Sequence, residues 1–273
     1  MQYGAVAVRA GGEIVRYPKL SIFLALVAAL LVWILVAGIE PERTDAGLAP
    51  VAAQPGAGAV FVIGGTRATG LEVVRLLRAR GDEVAVLARP TSDASAAEAL
   101  GARILRGDAM QPAELAAAMA SDSFRAVVST LGARATDGPR PDFEGNRNAV
   151  DAAKAAGIRR FVLVTVIGAG GSLDAAPWMA RRFLKNIIGE KTKAEDYLRE
   201  SGLDYTIIRP GGLLDKEPQG RAFLTADTHA MSWIRRADLA RLVVQALDDP
   251  AAINKVYHAH DPDRTRFWAL FLD

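Results

Sequence analysis

The sequence predicts an α/β domain with a doubly wound parallel sheet, preceded by one transmembrane helix. Three observations support this. Beyond residue 58 of the 273-residue chain, apolar runs of strand length alternate with helical stretches. A glycine-containing loop, GGTRATG, joins the first of these runs to the first helical stretch. Near the N-terminus, the twenty residues from Leu20 to Ile39 carry no charge.

The segment Leu20–Ile39 has the length that a helix needs to cross the hydrocarbon core of a bilayer. A cleaved signal peptide is the alternative. It is disfavoured because the apolar core is long and a further segment, residues 1–19, precedes it. The sequence therefore predicts a single-pass membrane protein that contacts the membrane through Leu20–Ile39.

Composition excludes several classes of site. Lysine and arginine number 33 against 31 acidic residues, and a net charge of +2 does not favour a nucleic-acid partner. The chain has no cysteine, which excludes disulfides, thiol nucleophiles and cysteine-containing metal sites.

Residues 40–58, rich in Pro, Ala and Gly, are predicted to be a flexible linker, and residues 59–273 the folded domain. Apolar runs predict six strands: Ala59–Ile63, Glu83–Ala88, Arg103–Leu105, Ala126–Thr130, Phe161–Thr165 and Tyr205–Ile208. Helices are predicted between them at Thr69–Arg80, Ser95–Leu100, Pro112–Ala120, Phe143–Ala156 and Glu190–Ser201. A glycine follows every helix but the third, as expected of a left-handed helix stop. Right-handed crossovers then give the strand order 3-2-1-4-5-6, the order of a Rossmann fold.

In such a sheet a ligand binds at the carboxyl ends of the strands, where strand order reverses, and this places the loop Gly64–Gly70 at the centre. Gly64 allows a tight turn, and Gly70 allows the helix to pack closely on the strand. Backbone N–H groups of the loop and the helix N-terminus would face a pyrophosphate. The predicted cofactor contacts are Gly64, Gly65, Thr66, Arg67, Ala68, Thr69 and Gly70.

Arg67 occupies the middle position of this loop, where glycine is usual. Its side chain must point away from the cofactor or fold over it. At the end of the second strand stands Arg89, where an NAD enzyme would carry a carboxylate for the ribose 2′-hydroxyl. A guanidinium suits a 2′-phosphate, so the sequence favours NADP(H) over NAD(H).

Several segments together resemble an atypical short-chain dehydrogenase/reductase of the NAD(P)H-binding, NmrA-like group, over about Ala59 to Asp261. They are GGTRATG, RGDAMQPAEL, NAVDAAKAAGIRRFVLVT, KAEDYLRESGLDYTIIRPGGL and IRRADLARLVVQAL. The resemblance implies NADPH as the ligand. It also implies that Gly107 and Asp108 lie beside the adenine. The implied contacts of the nicotinamide half are Ser129, Thr130, Leu131, Arg209, Pro210 and Gly211.

Reductases of this superfamily commonly use a Tyr-x-x-x-Lys pair, but no tyrosine of this chain is followed four residues later by lysine. Thr165 stands where a serine is expected, and its hydroxyl can orient a carbonyl or a water. Atypical members keep a lysine before the last of these strands. Lys191 matches that spacing better than Lys193, which would face about 160° away on the helix. Lys191 and Thr165 are thus the candidate catalytic residues, and Lys191 also a cofactor contact.

Other polar residues are assigned lesser roles. Glu195 is expected to keep the helix soluble or to pair with the lysine, and His258 and His260 are expected to form a surface pair, with no metal site. The basic amphipathic segment Ala176–Ile188 can lie on a membrane surface or cover the substrate as a packed lid, and the lid is favoured.

Two functions remain open. The first is a membrane-anchored, NADPH-dependent reductase or isomerase of a lipophilic small molecule. The second is a non-catalytic nucleotide-binding scaffold or redox-sensing subunit of a membrane protein complex. The side of the membrane is also open. Arg9, Arg16 and Lys19 precede the apolar segment against Arg43 after it, which favours an external domain, whereas cofactor supply favours a cytoplasmic one.

Overall fold

The computed structural model describes residues 7–10, 13–16, 27, 58–132 and 140–264. Apart from residue 27, the predicted membrane segment lies outside these residues. Among the helices of the described ranges, none combines the length and apolarity needed to span a bilayer.

The described chain contains twelve strands and seven α-helices, and their bounds agree closely with the sequence prediction for residues 59–208. The strands are β1 (Ala7–Ala10), β2 (Glu13–Arg16), β3 (Ala59–Ile63), β4 (Val84–Ala88), β5 (Arg103–Arg106), β6 (Phe124–Ser129), β7 (Arg160–Val164), β8 (Asp204–Pro210), β9 (Gly212–Leu214), β10 (Phe223–Thr225), β11 (Trp233–Arg235) and β12 (Lys255–His260). The helices are α1 (Ala68–Ala79), α2 (Ser95–Ala99), α3 (Pro112–Met119), α4 (Glu144–Ala155), α5 (Trp178–Phe183), α6 (Lys185–Glu200) and α7 (Arg236–Asp248).

Eight strands form the main sheet in the order β10-β12-β8-β7-β6-β3-β4-β5. All neighbours are parallel except β10, which pairs antiparallel with β12. From β5 to β8 this is the predicted order 3-2-1-4-5-6, so the Rossmann-like sheet is confirmed. Strand order reverses between β3 and β6, and the loops that follow these two strands therefore define the cleft at the carboxyl edge.

The sheet is covered on both faces, as its continuous apolar strands require. Within β3, Val60 and Val62 pack on the side of α1 and α7, whereas Phe61 and Ile63 pack on the side of α3, α4 and α6. All four side chains are essentially fully buried. Glycines follow four helices with positive φ, as predicted: Gly81, Gly101, Gly157 and Gly202.

The C-terminal part carries elements that the sequence reasoning did not predict. The short strands β9 and β11 form a separate parallel pair, and β12 extends the main sheet beyond β8. Asp238, at the start of α7, accepts the backbone N–H groups of Gln219 and Gly220 and so holds the loop before β10. Nearer the N-terminus, β1 and β2 pair with each other in antiparallel orientation.

Candidate cofactor and active site at the carboxyl edge of the sheet

The glycine loop is packed too tightly for side chains at its first and last positions. Gly64 has φ +81°, and a Cβ there would lie 2.8 Å from the Thr130 hydroxyl oxygen. A Cβ on Gly70 would lie 2.1 Å from the carbonyl oxygen of Gly64 and 2.6 Å from the same hydroxyl. The first turn of α1 therefore rests directly on the backbone of the loop. This contact aims the helix N-terminus at the cleft, where an anion is stabilised.

Arg67 does not need the glycine that usually stands at its position. Its backbone is extended, with φ −159° and ψ 168°, a conformation open to any residue. The strained residue is the next one, since Ala68 has φ +51°, in the left-handed region. The side chains of both residues are exposed, while Gly65 and Thr69 are buried beneath them. Thr66 lies between, half-buried.

The loop after β4 presents Arg89 to solvent. Arg106, at the end of β5, holds this loop through its Nη1, which donates to the carbonyl oxygens of Ser92 (3.0 Å) and Arg89 (3.3 Å). Two guanidinium groups thus lie at adjacent strand ends. Gly107 and Asp108 follow β5 directly, and the N–H of Gly107 donates to the carbonyl oxygen of Ala88. The segment is therefore fixed beside the end of β4.

The end of β6 is bound to both the glycine loop and α4. The Thr130 backbone N–H donates to the carbonyl oxygen of Ile63 at 3.0 Å. Ser129 is fully buried, and its hydroxyl donates to the side-chain oxygen of Asn146 at 2.6 Å. Asn146 in turn donates to the carbonyl oxygen of Asp142 at 2.7 Å. These bonds fix the backbone of residues 129–131 at the point where strand order reverses.

Lys191 reaches this same point from α6, which packs next to α4 on the same face of the sheet. Its Nζ donates to the carbonyl oxygen of Leu131 at 2.5 Å and lies 3.3 Å from a carboxylate oxygen of Asp142. The other oxygen of Asp142 lies 2.9 Å from Arg140. Burial lowers the pKa of Lys191 below its ordinary value, and the Asp142 charge opposes that shift. The lysine is thus held next to the segment that the resemblance assigns to the nicotinamide half.

Thr165 follows β7 and belongs to a buried ion-paired cluster. Its hydroxyl donates to a carboxylate oxygen of Glu195 at 2.7 Å. Arg209 of β8 donates to both oxygens of Glu195, from Nε at 3.0 Å and from Nη2 at 2.5 Å. Because the hydroxyl hydrogen of Thr165 points to Glu195, its lone pairs remain for a donor in the cleft.

The expected solubility role of Glu195 is wrong. Its side chain is 0 % exposed and links α6 to the ends of β7 and β8. A buried arginine needs such a partner, since an uncompensated charge is costly away from water. Helical spacing carried the missing signal, because Glu195 lies one turn after Lys191 and so shares its inward face. Lys193 instead lies on the exposed face, where it pairs with Glu190.

Pro210 and Gly211 close the cleft next to this cluster. The carbonyl oxygen of Pro210 accepts the N–H of Ile167, which joins the loops after β7 and β8. A Cβ on Gly211 would lie 2.0 Å from the carbonyl oxygen of Ser232, so the backbone before β11 packs directly on it.

The predicted surface position of His258 and His260 is also wrong. Both imidazoles lie inside the domain at 1 % exposure. His258 Nδ1 is 2.7 Å from the carbonyl oxygen of Ala230, and His260 packs on the ring of Phe223. Burial lowers the pKa of His260 to about 4. These two residues of β12 face inward because the loop before β11 lies over them at Ala230, and the Phe223 ring of the neighbouring strand β10 packs beside His260.

The arrangement suits a dinucleotide. Gly64 and Gly70 let the N-terminus of α1 pack directly on the end of β3, the arrangement of a phosphate-binding loop, and Arg89 lies exposed after β4, where a ribose would be expected. At the other end of the cleft, Lys191 and Thr165 place an ammonium group and a hydroxyl near the ends of β6 and β7. Such groups can hold hydroxyls and orient a polarised substrate.

Comparisons with known proteins agree with this arrangement. Residues 64–250 match a family model described as NAD(P)H-binding. The NAD(P)H azoreductase of Xenophilus azovorans is 31% identical over 212 residues, which cover 74% of this chain and 68% of the relative. The sanguinarine reductase of Eschscholzia californica is 30% identical over 240 residues, covering 72% and 87%.

A solved structure is also similar. It is that of ChuY, described as an anaerobillin reductase, from Escherichia coli O157:H7, which is 31% identical with a TM-score of 0.69 and covers 75% of this chain and 98% of the other. Fold, glycine loop and family model point to one assignment. The chain belongs to the NAD(P)H-binding family of Rossmann-like, atypical short-chain dehydrogenases/reductases.

Proposed function

We propose that the protein is a membrane-anchored, NADPH-dependent reductase of a lipophilic small molecule. The observation that carries the proposal is a pair of buried polar side chains in the cleft. Lys191 donates to the carbonyl oxygen of Leu131, and Thr165 donates to Glu195. Similar proteins are named as reductases, which supports the reaction class. Bound NADPH would supply a hydride.

The chain's own residues would then position the reactants. Lys191, a cation that is almost entirely buried, would donate hydrogen bonds to ribose hydroxyls and stabilise negative charge that develops nearby. Thr165 would accept a hydrogen bond from the substrate or from a water, because its own hydrogen is held by Glu195. With no Tyr-x-x-x-Lys pair in the sequence, we assign the final proton to a water held at Thr165.

Preference for NADPH over NADH rests on charge. Arg89 is exposed at the strand end where an acidic residue would bond a ribose 2′-hydroxyl, and Arg106 holds the carbonyl groups of its loop. A 2′-phosphate would gain charge-assisted hydrogen bonds there, and the ribose of NADH would not.

The membrane anchor and the lipophilic substrate rest on the sequence. Leu20–Ile39 is an uncharged run long enough to span a bilayer. A tethered domain meets molecules dissolved in the same bilayer at a raised effective concentration. The missing tyrosine favours the second candidate, a nucleotide-binding scaffold or redox-sensing subunit of a membrane complex, in which the cofactor binds without turning over.

Substitution of two lysines of α6, Lys191 and Lys193, tests the proposed reductase activity. Full-length protein is titrated with NADPH and then mixed with quinones, enones and an azo compound while NADPH absorbance is followed. Lys191→Met is compared with Lys193→Met, a matched change of an exposed lysine on the same helix. We expect the first variant to lose roughly tenfold to a hundredfold in rate, since a charged hydrogen bond contributes about 1.5–3 kcal/mol, and the second to behave as wild type. NADPH that binds but is never oxidised would favour the scaffold.

A further inference from the structure

The helix α5 and its flanks carry a group of apolar side chains that lack cover among the described residues. Trp178 is 74% exposed, Phe183 72% and Met179 54%, and Leu173 and Leu184 lie exposed beside them. No residue of α5 is buried. We refer to Leu173, Trp178, Met179, Phe183 and Leu184 as the α5 patch. A group of large exposed side chains this dense marks an interaction surface rather than ordinary surface scatter.

The α5 patch is held in place by the domain. Arg181 folds back and donates from Nε to the carbonyl oxygen of Ala176 at 2.7 Å and from Nη2 to that of Asp174 at 2.8 Å. At the other end, Ile188 is buried, and its side chain closes on Gly168. The patch is therefore a fixed feature of the surface, with its side chains directed outwards.

The charges next to the α5 patch indicate which kind of partner it contacts. From Ala176 to Ile188 the chain contains three cations and no acidic residue. Arg181 pairs with Asp174, while Arg182 and Lys185 extend exposed next to the aromatic side chains. Two copies of the patch packed face to face would bring Arg182 and Lys185 of both copies together, which disfavours self-association. Aromatic side chains beside lysine and arginine are instead typical of segments that lie at the interface of an anionic bilayer.

We propose that the α5 patch rests on an anionic membrane surface, with Trp178, Met179 and Phe183 in the interfacial layer and Arg182 and Lys185 against lipid phosphates. This goes beyond the proposed anchor at residues 20–39, which needs no second contact. The predicted linker, residues 40–58, could extend to roughly 60 Å, which exceeds the width of a domain with a radius of gyration near 17 Å. It therefore permits this face to reach the bilayer.

The contact would join the bilayer to the candidate active site. Helix α6 begins at Lys185, at the edge of the patch, and carries Lys191 six residues later. Six residues of helix rise by about 9 Å. A molecule that leaves the lipid at the patch would therefore have a short path to the carboxyl edge of the sheet.

Because the chain has no cysteine, a single cysteine introduced by mutation can be labelled specifically. Met179→Cys in the full-length protein is labelled with an environment-sensitive fluorophore, and Lys255→Cys, exposed at the opposite edge of the sheet, is the matched control. Both proteins are reconstituted into vesicles of phosphatidylcholine alone or of equal parts phosphatidylcholine and phosphatidylglycerol. We expect a blue shift and a severalfold rise in emission at position 179 in the anionic vesicles, little change in neutral ones, and none at position 255. Arg182→Gln combined with Lys185→Gln should abolish the response.

Four results would overturn the proposal. The first is a fluorophore at position 179 whose emission stays as in a polar environment, like that of the control, and the second is an emission change equal in both vesicle types. The third is an emission change that grows with the protein-to-lipid ratio. The fourth is an emission change caused by NADPH or substrate instead of by lipid. The third would indicate packing between copies, and the fourth a lid over the substrate. Flotation of the same vesicles distinguishes failure of the α5 contact from failure of the anchor. If the protein floats with the vesicles but the fluorophore emission does not change, only the α5 contact is overturned. If the protein does not float, the anchor is overturned as well. NADPH oxidation on the same vesicles tests the reductase independently.

Discussion

Gly70→Ala tests the cofactor loop most sharply, because the packing leaves no space for a methyl group. The new Cβ would lie 2.1 Å from the carbonyl oxygen of Gly64, and carbon and oxygen normally approach to about 3.3 Å. The N-terminus of α1 would therefore have to move by roughly 1 Å. Overpacking of this kind costs about 1–3 kcal/mol, which is roughly 2–12 °C in the melting temperature of a domain this size.

Cofactor affinity should fall as well. A shift of about 1 Å takes a backbone N–H out of hydrogen-bonding range of a phosphate oxygen. Loss of one hydrogen bond to a charged group, about 1.5–3 kcal/mol, weakens NADPH binding at least tenfold. The assay is a fluorescence titration with NADPH, together with thermal unfolding of the same samples.

Gly189→Ala is the matched control. Gly189 is also helical, its φ is not positive, and nothing lies within 4 Å of a Cβ placed there. Alanine at this position should stabilise the helix by about 0.5–1 kcal/mol and leave NADPH affinity unchanged. If Gly70→Ala binds NADPH as tightly as Gly189→Ala does, the loop is not the phosphate-binding element and the reasoning fails.

Three further predictions follow from charge and burial. Arg89→Ala should weaken NADPH binding roughly tenfold or more while the dissociation constant of NADH, measured in parallel, stays unchanged, because only the 2′-phosphate uses the guanidinium. Asp142→Asn removes the anion that raises the pKa of Lys191 against burial, so the alkaline limb of the pH–rate profile should move to lower pH. Stability should fall as pH drops from about 6.5 to about 4, because the pKa of His260, about 4 in the fold, is near 6.5 in the unfolded chain. Denaturant unfolding at pH 7 and pH 5 should differ by about 2 kcal/mol from this residue, and His260→Leu should remove that part of the difference.

Each of these three has an outcome that contradicts it. Equal loss of NADPH and NADH affinity in Arg89→Ala would mean that the residue supports the loop and does not read the 2′-position. An unchanged or alkaline-shifted profile in Asp142→Asn would remove the lysine from the titrating step. A pH dependence of unfolding that is identical in wild type and His260→Leu would assign the acid sensitivity to other groups.

Local sequence patterns were sufficient for the central sheet. Each strand from β3 to β8 is a short apolar run bounded by glycine or polar residues. The handedness of crossovers then leaves a few strand orders, of which the prediction took that of the Rossmann fold. The choice of Lys191 over Lys193 followed from the spacing that the family resemblance implies, and the helical period then placed Lys193 on another face. The structure buries the first and exposes the second.

Local patterns could not predict contacts between side chains that lie far apart in the sequence. Glu195 is buried only because Arg209 and Thr165 meet it from two other strands, contacts that no local pattern encodes. His258 and His260 alternate with Ala259 in β12, and alternation alone does not say which face is covered. They are enclosed by the loop that contains Ala230 and by the ring of Phe223 on the neighbouring strand, both some 30 residues earlier in the sequence.

Hydride transfer from labelled cofactor distinguishes a reductase from a protein that only binds the nucleotide. Full-length protein is given NADPH deuterated at C4 of the nicotinamide, in each of the two stereochemical forms. With an enone acceptor the label arrives on carbon and is retained, so the reduced product is analysed by mass spectrometry. With quinone and azo acceptors the label would exchange with water, so NADPH oxidation is followed instead. We predict that one of the two forms delivers one deuterium to the enone product, at a rate that Lys191→Met lowers and Lys193→Met does not. Binding of NADPH with no label in the enone product and no NADPH oxidation by the quinone and azo acceptors, at protein concentrations that saturate the cofactor, would contradict a reductase.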